Sequence, residues 1–234
     1  GRFDMAAIGV FCAMVLDSLD GRVARMTNTQ SAFGEQMDSL SDMVSFGAAP
    51  ALIAYEWSLK GLGRWGWIAA FVYCACAALR LARFNVLTNP LVPGNEKRAA
   101  GGDFVGLPSP AAAGMIASLV LILSKIMEAE GPLDVAVQAW SWSLLPLMLI
   151  ISFLMVSNVR FPSFKKLDWT ARARTRGFIL IIIIGAVVFR YPHYSFPAIF
   201  LGYISFSIFR HVFLLKKSEM DPAPDDDDEP VSKV

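Results

Sequence analysis

Four aspartates stand close enough in the sequence to serve one metal site. Asp17 and Asp20 come first, and Asp38 and Asp42 follow after a polar stretch, residues 26–30. Residues three or four apart lie on the same face of a helix, so each pair would share one face of its own helix. The polar stretch is a poor helix former and predicts a turn between the two helices. The two helices would therefore direct four carboxylates into one space.

Four carboxylates in one space indicate divalent cations. Without a partner they would repel one another and take up protons, whereas Mg²⁺ and Mn²⁺ prefer oxygen ligands. Two such ions about 3.5–4 Å apart can stabilise both oxygens of a phosphoryl displacement. Gly21, Ala24 and Gly34 are in phase with the aspartates and leave room for a bulky ligand. The guanidinium of Arg25 suits a phosphate. Surface aspartates at two helix ends are the simpler interpretation, which leaves this phasing unexplained.

This stretch resembles the signature of the CDP-alcohol phosphatidyltransferase family, D-x2-D-G-x2-A-R-x8-G-x3-D-x3-D. Every fixed position and every gap is matched. The matching residues are Asp17, Asp20, Gly21, Ala24, Arg25, Gly34, Asp38 and Asp42.

The composition is that of a membrane protein. The chain has 234 residues, of which 55% are hydrophobic, and its mean hydropathy is +0.50. Its net charge of +1 predicts no nucleic-acid partner. We expect an all-α, polytopic integral membrane helix bundle with seven visible transmembrane segments, because a bilayer offers no water to unpaired backbone groups. The segments are residues 5–20, 40–57, 64–84, 108–127, 136–157, 177–190 and 194–215.

Charge predicts the orientation of this bundle. With the aspartates placed in the cytoplasm, most Lys and Arg residues fall on the cytoplasmic side, as the positive-inside rule requires. We therefore expect an integral protein of the inner (cell) membrane whose active site faces the cytoplasm. Residues 1–217 would form the membrane domain, with its motif at 17–42, and residues 218–234 a disordered acidic cytoplasmic tail. The basic stretch 161–176 is typical of a loop on an anionic leaflet.

A second polar signal lies further along the chain. Arg80 and Arg83 share a helix face at the cytoplasmic end of an apolar segment, and Asn85 follows them. They could snorkel to lipid phosphates or hold an anionic substrate. Residues 78–86 and 103–113, together with residues 44–51, are similar to the serine-using, phosphatidylserine-synthesising branch of the family. This likeness covers about residues 1–120.

The resemblance implies a reaction and a set of roles. The phosphatidyl group of CDP-diacylglycerol would pass to the hydroxyl of L-serine, with release of CMP. Two divalent cations, Mg²⁺ or Mn²⁺, would be held by Asp17, Asp20 and Asp38 and by Asp17, Asp38 and Asp42, and Asp42 would be the general base. CDP-diacylglycerol would be bound by Asp17, Gly21, Ala24, Arg25, Ser31 and Gly34. Candidates for binding serine or phosphate are Arg80, Arg83 and Asn85.

The family likeness also leaves alternatives open. The family normally has one more transmembrane helix before the first aspartate, and we expect this chain to lack it. The acceptor could be glycerol 3-phosphate, inositol phosphate or another alcohol. A multi-span transporter or scaffold with cation-binding aspartates is a third interpretation, which predicts no CMP release. Membrane lipids are expected partners, and a homodimer is an expectation that follows from the family alone.

Overall fold

The computed structural model describes residues 2–29, 31–88, 104–130, 133–162, 185–188 and 190–220. The described chain is almost entirely helical. Its α-helices are α1 (Phe3–Thr27), α2 (Ala32–Asp42), α3 (Ala49–Trp57), α4 (Arg64–Thr88), α5 (Ser109–Glu130), α6 (Leu133–Val156) and α7 (Pro192–Met220). A π-helix (Met43–Ala48) joins α2 to α3, a 3₁₀ turn (Leu59–Leu62) precedes α4, and two short strands are β1 (Phe104–Val105) and β2 (Arg160–Phe161).

The polar turn predicted between the first two aspartate pairs is present. Helix α1 ends at Thr27, and Asn28 adopts the left-handed conformation, with φ of 53°, while its N–H donates to the Ala24 carbonyl. Helix α2 then begins after Ser31, whose hydroxyl accepts a hydrogen bond of 3.0 Å from the Gly34 N–H. These two caps turn the chain so that both aspartate pairs lie at one end of the bundle.

Helix α5 lies at the centre of the bundle. It packs against α1, α3, α6 and α7, and Ala112 and Ala113 on it are fully buried. A Cβ at Gly114 would collide with the ring of Phe200 on α7. Small residues let helices approach closely within a membrane, where dispersion contacts rather than hydrophobic burial hold them together.

A short clasp joins the loop before α5 to the end of α6. Strands β1 and β2 pair antiparallel, the Gly106 N–H donates to the Val159 carbonyl and the Leu107 N–H to the Leu154 carbonyl. Gly106 has φ of 83°, and a Cβ there would collide with the Met155 carbonyl. The clasp adds a small β-ladder to a bundle for which the sequence predicts helices alone.

Three described helical stretches are long and apolar enough to cross a membrane: Arg64–Leu87, Ser109–Ile126 and Pro192–Phe213. Trp140–Val156 is a shorter apolar helix. Large apolar side chains point outward, for example Phe153 at 65% and Phe209 at 71% exposed, as lipid-facing surfaces require. An all-α integral membrane protein is therefore confirmed, whereas the number of seven spans stays a prediction.

Several predictions fall outside the described residues. Two of the predicted segments do lie within the described residues: 5–20 is α-helical, and 40–57 is α-helical except for the π-helix at 43–48. Most of the segment 177–190, most of the basic stretch 161–176 and residues 221–234 of the tail lie outside the description. Helix α7 continues to Met220, so the backbone of residues 218–220 is helical where the sequence predicts the start of a disordered tail.

Candidate metal and substrate site

Three of the aspartates form a compact cluster. Asp17 and Asp20 project from the last turns of α1, and Asp38 projects from α2. One carboxylate oxygen of each lies within 4.8 Å of those of the others. Asp17 is half-buried, while Asp20 and Asp38 are exposed. The cluster is therefore open to ligands on one side and backed by the bundle on the other.

Asp42 lies one helical turn deeper than Asp38. Its carboxyl is half-buried and contacts the carboxyl of Asp17. Its Oδ1 atom is buried and has no hydrogen-bond partner among the described residues. A buried oxygen that lacks a donor costs free energy unless a ligand satisfies it, so this atom indicates a binding partner.

The charges of the cluster act on one another. Partial burial of the Asp38 carboxyl, followed by the negative charges of Asp17, Asp20 and nearby Glu35, raises its pKa above the ordinary value, although the side chain as a whole is exposed. Such repulsion disfavours the ionised cluster in isolation. A hard divalent cation would remove the repulsion and supply the partner that Oδ1 of Asp42 lacks. The donor set and this orphaned atom therefore fit metal binding.

The predicted CDP-diacylglycerol residues surround this cluster. Gly21 is exposed, with open space where a Cβ would lie. Ala24 lies one turn before the end of α1. The Ser31 hydroxyl accepts from the Gly34 N–H, so both residues already shape the start of α2. The side chain of Arg25 lies outside the described part of the structure.

The structure separates the two candidate arginines. Arg80 is buried, with 8% of its surface exposed, and its Nη1 donates a hydrogen bond of 2.6 Å to Ser109 Oγ. Asp42 and Tyr203 both contribute to its electrostatic environment. Among the residues that the structure describes, no carboxylate forms an ion pair with it. The Arg80 Cζ atom lies 5.4 Å from the centre of the Phe84 ring. A buried cation without an ion pair is still costly, so the guanidinium is suited to bind an anion.

Arg83 and Asn85 make contacts within the fold. Arg83 donates to the Val156 carbonyl at 3.1 Å and to Asn158 Oδ1 at 2.7 Å, which caps the end of α6. Asn85 Nδ2 donates to Ser39 Oγ at 3.1 Å and ties α4 to α2. Arg83 and Asn85 therefore connect α4 to neighbouring segments of the chain.

Sequence reasoning missed three residues near the site: Ser109, Tyr203 and Tyr73. Ser109 is fully buried at the start of α5, and its sequence context predicted only a helix start. Tyr203 lies 123 positions after Arg80 in the chain, so no local pattern relates them. Tyr73 lies within an apolar run. Its hydroxyl is the signal that sequence reasoning could have used, because a tyrosine hydroxyl in an apolar segment requires a hydrogen-bond partner.

Comparison with known sequences agrees with this geometry. Residues 1–154 match the sequence profile of the CDP-alcohol phosphatidyltransferase family. The chain belongs to the CDP-alcohol phosphatidyltransferase family. In this family context, the aspartate cluster between α1 and α2 coincides with the signature motif.

Relatives within the family share one name. A protein of Helicobacter pylori strain ATCC 700392 / 26695 named CDP-diacylglycerol--serine O-phosphatidyltransferase is 38% identical over 217 residues, which cover 92% of this chain and 83% of that protein. Proteins of the same name from Bacillus subtilis strain 168 and Methanocaldococcus jannaschii are 33% identical over 161 residues and 34% identical over 155 residues. They cover 69% and 66% of this chain, and 76% and 62% of those proteins.

Proposed function

We propose that this enzyme synthesises phosphatidylserine by transferring the phosphatidyl group of CDP-diacylglycerol to the hydroxyl of L-serine, with release of CMP. The observation that carries the proposal is the likeness to the Helicobacter pylori protein of that name, which spans 92% of this chain. A match of that extent includes α2, α4 and α5, and so the residues that approach the aspartate cluster.

Two divalent cations, Mg²⁺ or Mn²⁺, would be held by the aspartates. Asp17, Asp20 and Asp38, whose oxygens already lie within 4.8 Å of one another, would hold one. Asp17 and Asp38 with Asp42 would hold the other, which would satisfy the orphaned Oδ1 atom. When bound, the cations neutralise the negative charge of the pyrophosphate oxygens in the transition state.

The cytidine diphosphate part of the lipid would lie over the C-terminal end of α1 and the N-terminal end of α2. Gly21, Ala24 and Gly34 would let it approach the backbone, and the open space at Gly21 supports this placement. Ser31 and Arg25 would contact its phosphates. The first-turn N–H groups of α2 also favour an anion there.

Asp42 would act as the general base. A serine hydroxyl is a weak nucleophile and requires a base within hydrogen-bond reach. Asp42 would accept the hydroxyl proton while the serine oxygen forms its bond to the phosphatidyl phosphorus. The bond from that phosphorus to the CMP oxygen breaks, and CMP leaves with the electron pair.

Arg80 would bind the carboxylate of serine. Its guanidinium is buried, lacks an ion pair within the described chain and interacts with Asp42. An anionic group bound there would bring a nearby hydroxyl towards the base. Arg83 and Asn85 are weaker candidates for substrate contact, because both donate hydrogen bonds within the fold.

The active site would face the cytoplasm at the boundary of the inner membrane, where a lipid and a water-soluble amino acid can meet. The positive-inside distribution of Lys and Arg supports this orientation. The acyl chains would lie among membrane lipids and between helices. The homodimer stays a prediction.

The test is CMP release from CDP-diacylglycerol by the detergent-solubilised protein, with Mn²⁺ or Mg²⁺ and with or without L-serine. Asp42→Asn is measured beside the parent protein, and Asp4→Asn on the far end of α1 is the matched control. We expect serine-dependent CMP release. A chelator and Asp42→Asn should each abolish it, whereas Asp4→Asn should leave it unchanged. CMP release with glycerol 3-phosphate or inositol phosphate, but not with serine, would contradict serine as the acceptor and would still agree with the proposed metal site.

A further inference from the structure

The chain leaves regular α-helical geometry immediately after Asp42. Residues Met43–Ala48 form a π-helix, in which the Ala49 N–H donates to the Val44 carbonyl, five residues earlier. Such wide turns are rare and are often found at functional sites. The turn sets how the aspartates of α2 are oriented relative to the buried face of α3. Whatever holds the π-helix therefore also holds Asp42.

A buried tyrosine of α4 holds this π-helix from the side. Tyr73 is fully buried, and its hydroxyl donates a hydrogen bond of 3.1 Å to the carbonyl of Phe46. Phe46 lies one turn beyond Asp42 and is itself fully buried. The Tyr73 side chain is shielded from water, so its hydroxyl requires a partner inside the protein.

Close backbone packing adds a second contact between α4 and the π-helix. Gly47 is buried, and a Cβ there would press against the side chains of Met43 and Ala77. Ala77 is fully buried one turn beyond Tyr73 on α4. The two contacts leave little freedom for α4 to slide along residues 42–48.

The same face of α4 reaches the site one turn further on. Residues four and seven positions apart lie on one face of a helix, so Tyr73, Ala77 and Arg80 form a row. Arg80 and Asp42 each contribute to the electrostatic environment of the other. Tyr73 contacts the backbone after Asp42, and Arg80 lies near Asp42 itself.

We propose that Tyr73 is a positioning residue that sets the gap between Asp42 and Arg80. Its hydroxyl fixes the register of α4 against the π-helix. That register determines how far the Arg80 guanidinium lies from the Asp42 carboxylate. The inference rests on the proposed function, in which this gap receives L-serine. Tyr73 itself contacts no reacting atom.

A gap of the correct width favours serine over water. Serine would reach Arg80 with its carboxylate and Asp42 with its hydroxyl, so its alignment depends on the distance between the two groups. Water needs only the base. A changed register should therefore reduce transfer to serine more than transfer to water, which converts CDP-diacylglycerol to phosphatidic acid and CMP.

The experiment compares Tyr73→Phe with the parent protein. It measures how much phosphatidylserine and how much phosphatidic acid each protein forms for every CMP released. We expect kcat/KM for serine to fall on the order of fivefold to tenfold, the effect of one hydrogen bond. The ratio of phosphatidylserine to phosphatidic acid should fall with it, while KM for CDP-diacylglycerol stays within about twofold. Hydrogen exchange of the amides at residues 43–48 should rise.

Ser58→Ala is the matched control. It removes a buried hydrogen bond, 2.6 Å between the Ser58 and Ser141 hydroxyls, just beyond the other end of α3. We expect it to lower thermal stability without changing the product ratio, because a ratio does not depend on the fraction of folded enzyme.

Two outcomes separate the inference from the proposed function. If the parent protein forms no phosphatidylserine, the proposed function is overturned, and the hydrogen exchange still decides whether Tyr73 holds the π-helix. If the parent forms phosphatidylserine and Tyr73→Phe lowers stability but leaves the product ratio unchanged, Tyr73 has a structural role alone and the inference is wrong.

Discussion

Arg80 on α4 donates a hydrogen bond of 2.6 Å to the hydroxyl of Ser109, the first residue of α5. Both side chains are buried, at 8% and 0% exposed. Within the described part of the chain, this is the hydrogen bond that the structure gives to the guanidinium, whose Cζ atom also lies 5.4 Å from the centre of the Phe84 ring. Arg83 lies one turn away on the same helix, yet it is bound to α6. Two arginines with similar sequence surroundings thus have different partners.

Replacement of the two arginines should have different consequences. Arg80→Ala should raise KM for serine on the order of tenfold to a hundredfold, the range for losing a charged hydrogen-bond donor. Arg83→Ala should lower thermal stability, because Val156 and Asn158 lose their donor, and should leave KM for serine within about twofold. Steady-state kinetics with varied serine and a thermal melt measure both. Equal effects on KM would contradict the assignment.

Asp38→Asn should weaken metal binding. The replacement removes one of three carboxylates whose oxygens lie within 4.8 Å, and we expect Mn²⁺ affinity to fall on the order of a hundredfold. Titration followed by electron paramagnetic resonance measures it. Glu35→Gln on the same helix is the control, because Glu35 lies outside the cluster, and it should change affinity by less than about threefold.

The metal-free protein should become more stable as the pH falls. Partial burial and neighbouring charges raise the pKa of Asp38, so the folded state holds this proton more tightly than the unfolded chain, whose carboxyl titrates at about pH 4. The ionised carboxyl destabilises the fold above the raised pKa, and this penalty is relieved as the pH falls through it. Thermal melts in chelator, taken in steps from about pH 7 down to about pH 4, measure the effect.

Asp38→Asn provides the control for that pH dependence. Asparagine cannot ionise, so the increase in melting temperature on acidification should shrink in this variant. Saturating Mn²⁺ should reverse the trend in the parent protein, because protons compete with the cation for the carboxylates. A melting temperature in chelator that falls on mild acidification would refute the raised pKa.

Gly106→Ala should destabilise the clasp between β1 and the end of α6. Gly106 has φ of 83°, and a Cβ would collide with the Met155 carbonyl. We expect a loss of about 1–3 kcal/mol in the free energy of unfolding. Gly61→Ala is the control, since a Cβ at Gly61 meets open space. Denaturation in mixed detergent measures both, and equal losses would argue against a strained position.

The sequence alone determined the family, the helical class and the aspartate cluster. Asp17 and Asp20, and Asp38 and Asp42, repeat at helical spacing, and a helix converts spacing into a shared face without help from distant residues. The turn between the pairs was equally local, because Asn28 and Ser31 cap the helices that they adjoin. The apolar composition predicted a membrane protein, because composition does not depend on how the helices pack.

Only the tertiary structure decided what Arg80, Arg83 and Tyr73 contact. Both arginines lie on one helix face, but their side chains reach different neighbouring helices. Arg80 reaches Ser109 on α5, and Arg83 reaches the Val156 carbonyl on α6. The Phe46 carbonyl in the π-helix accepts a hydrogen bond from Tyr73 of α4, a contact between residues 27 positions apart. Such contacts depend on how whole helices pack, and the apolar period of one helix does not say which other helix packs against it.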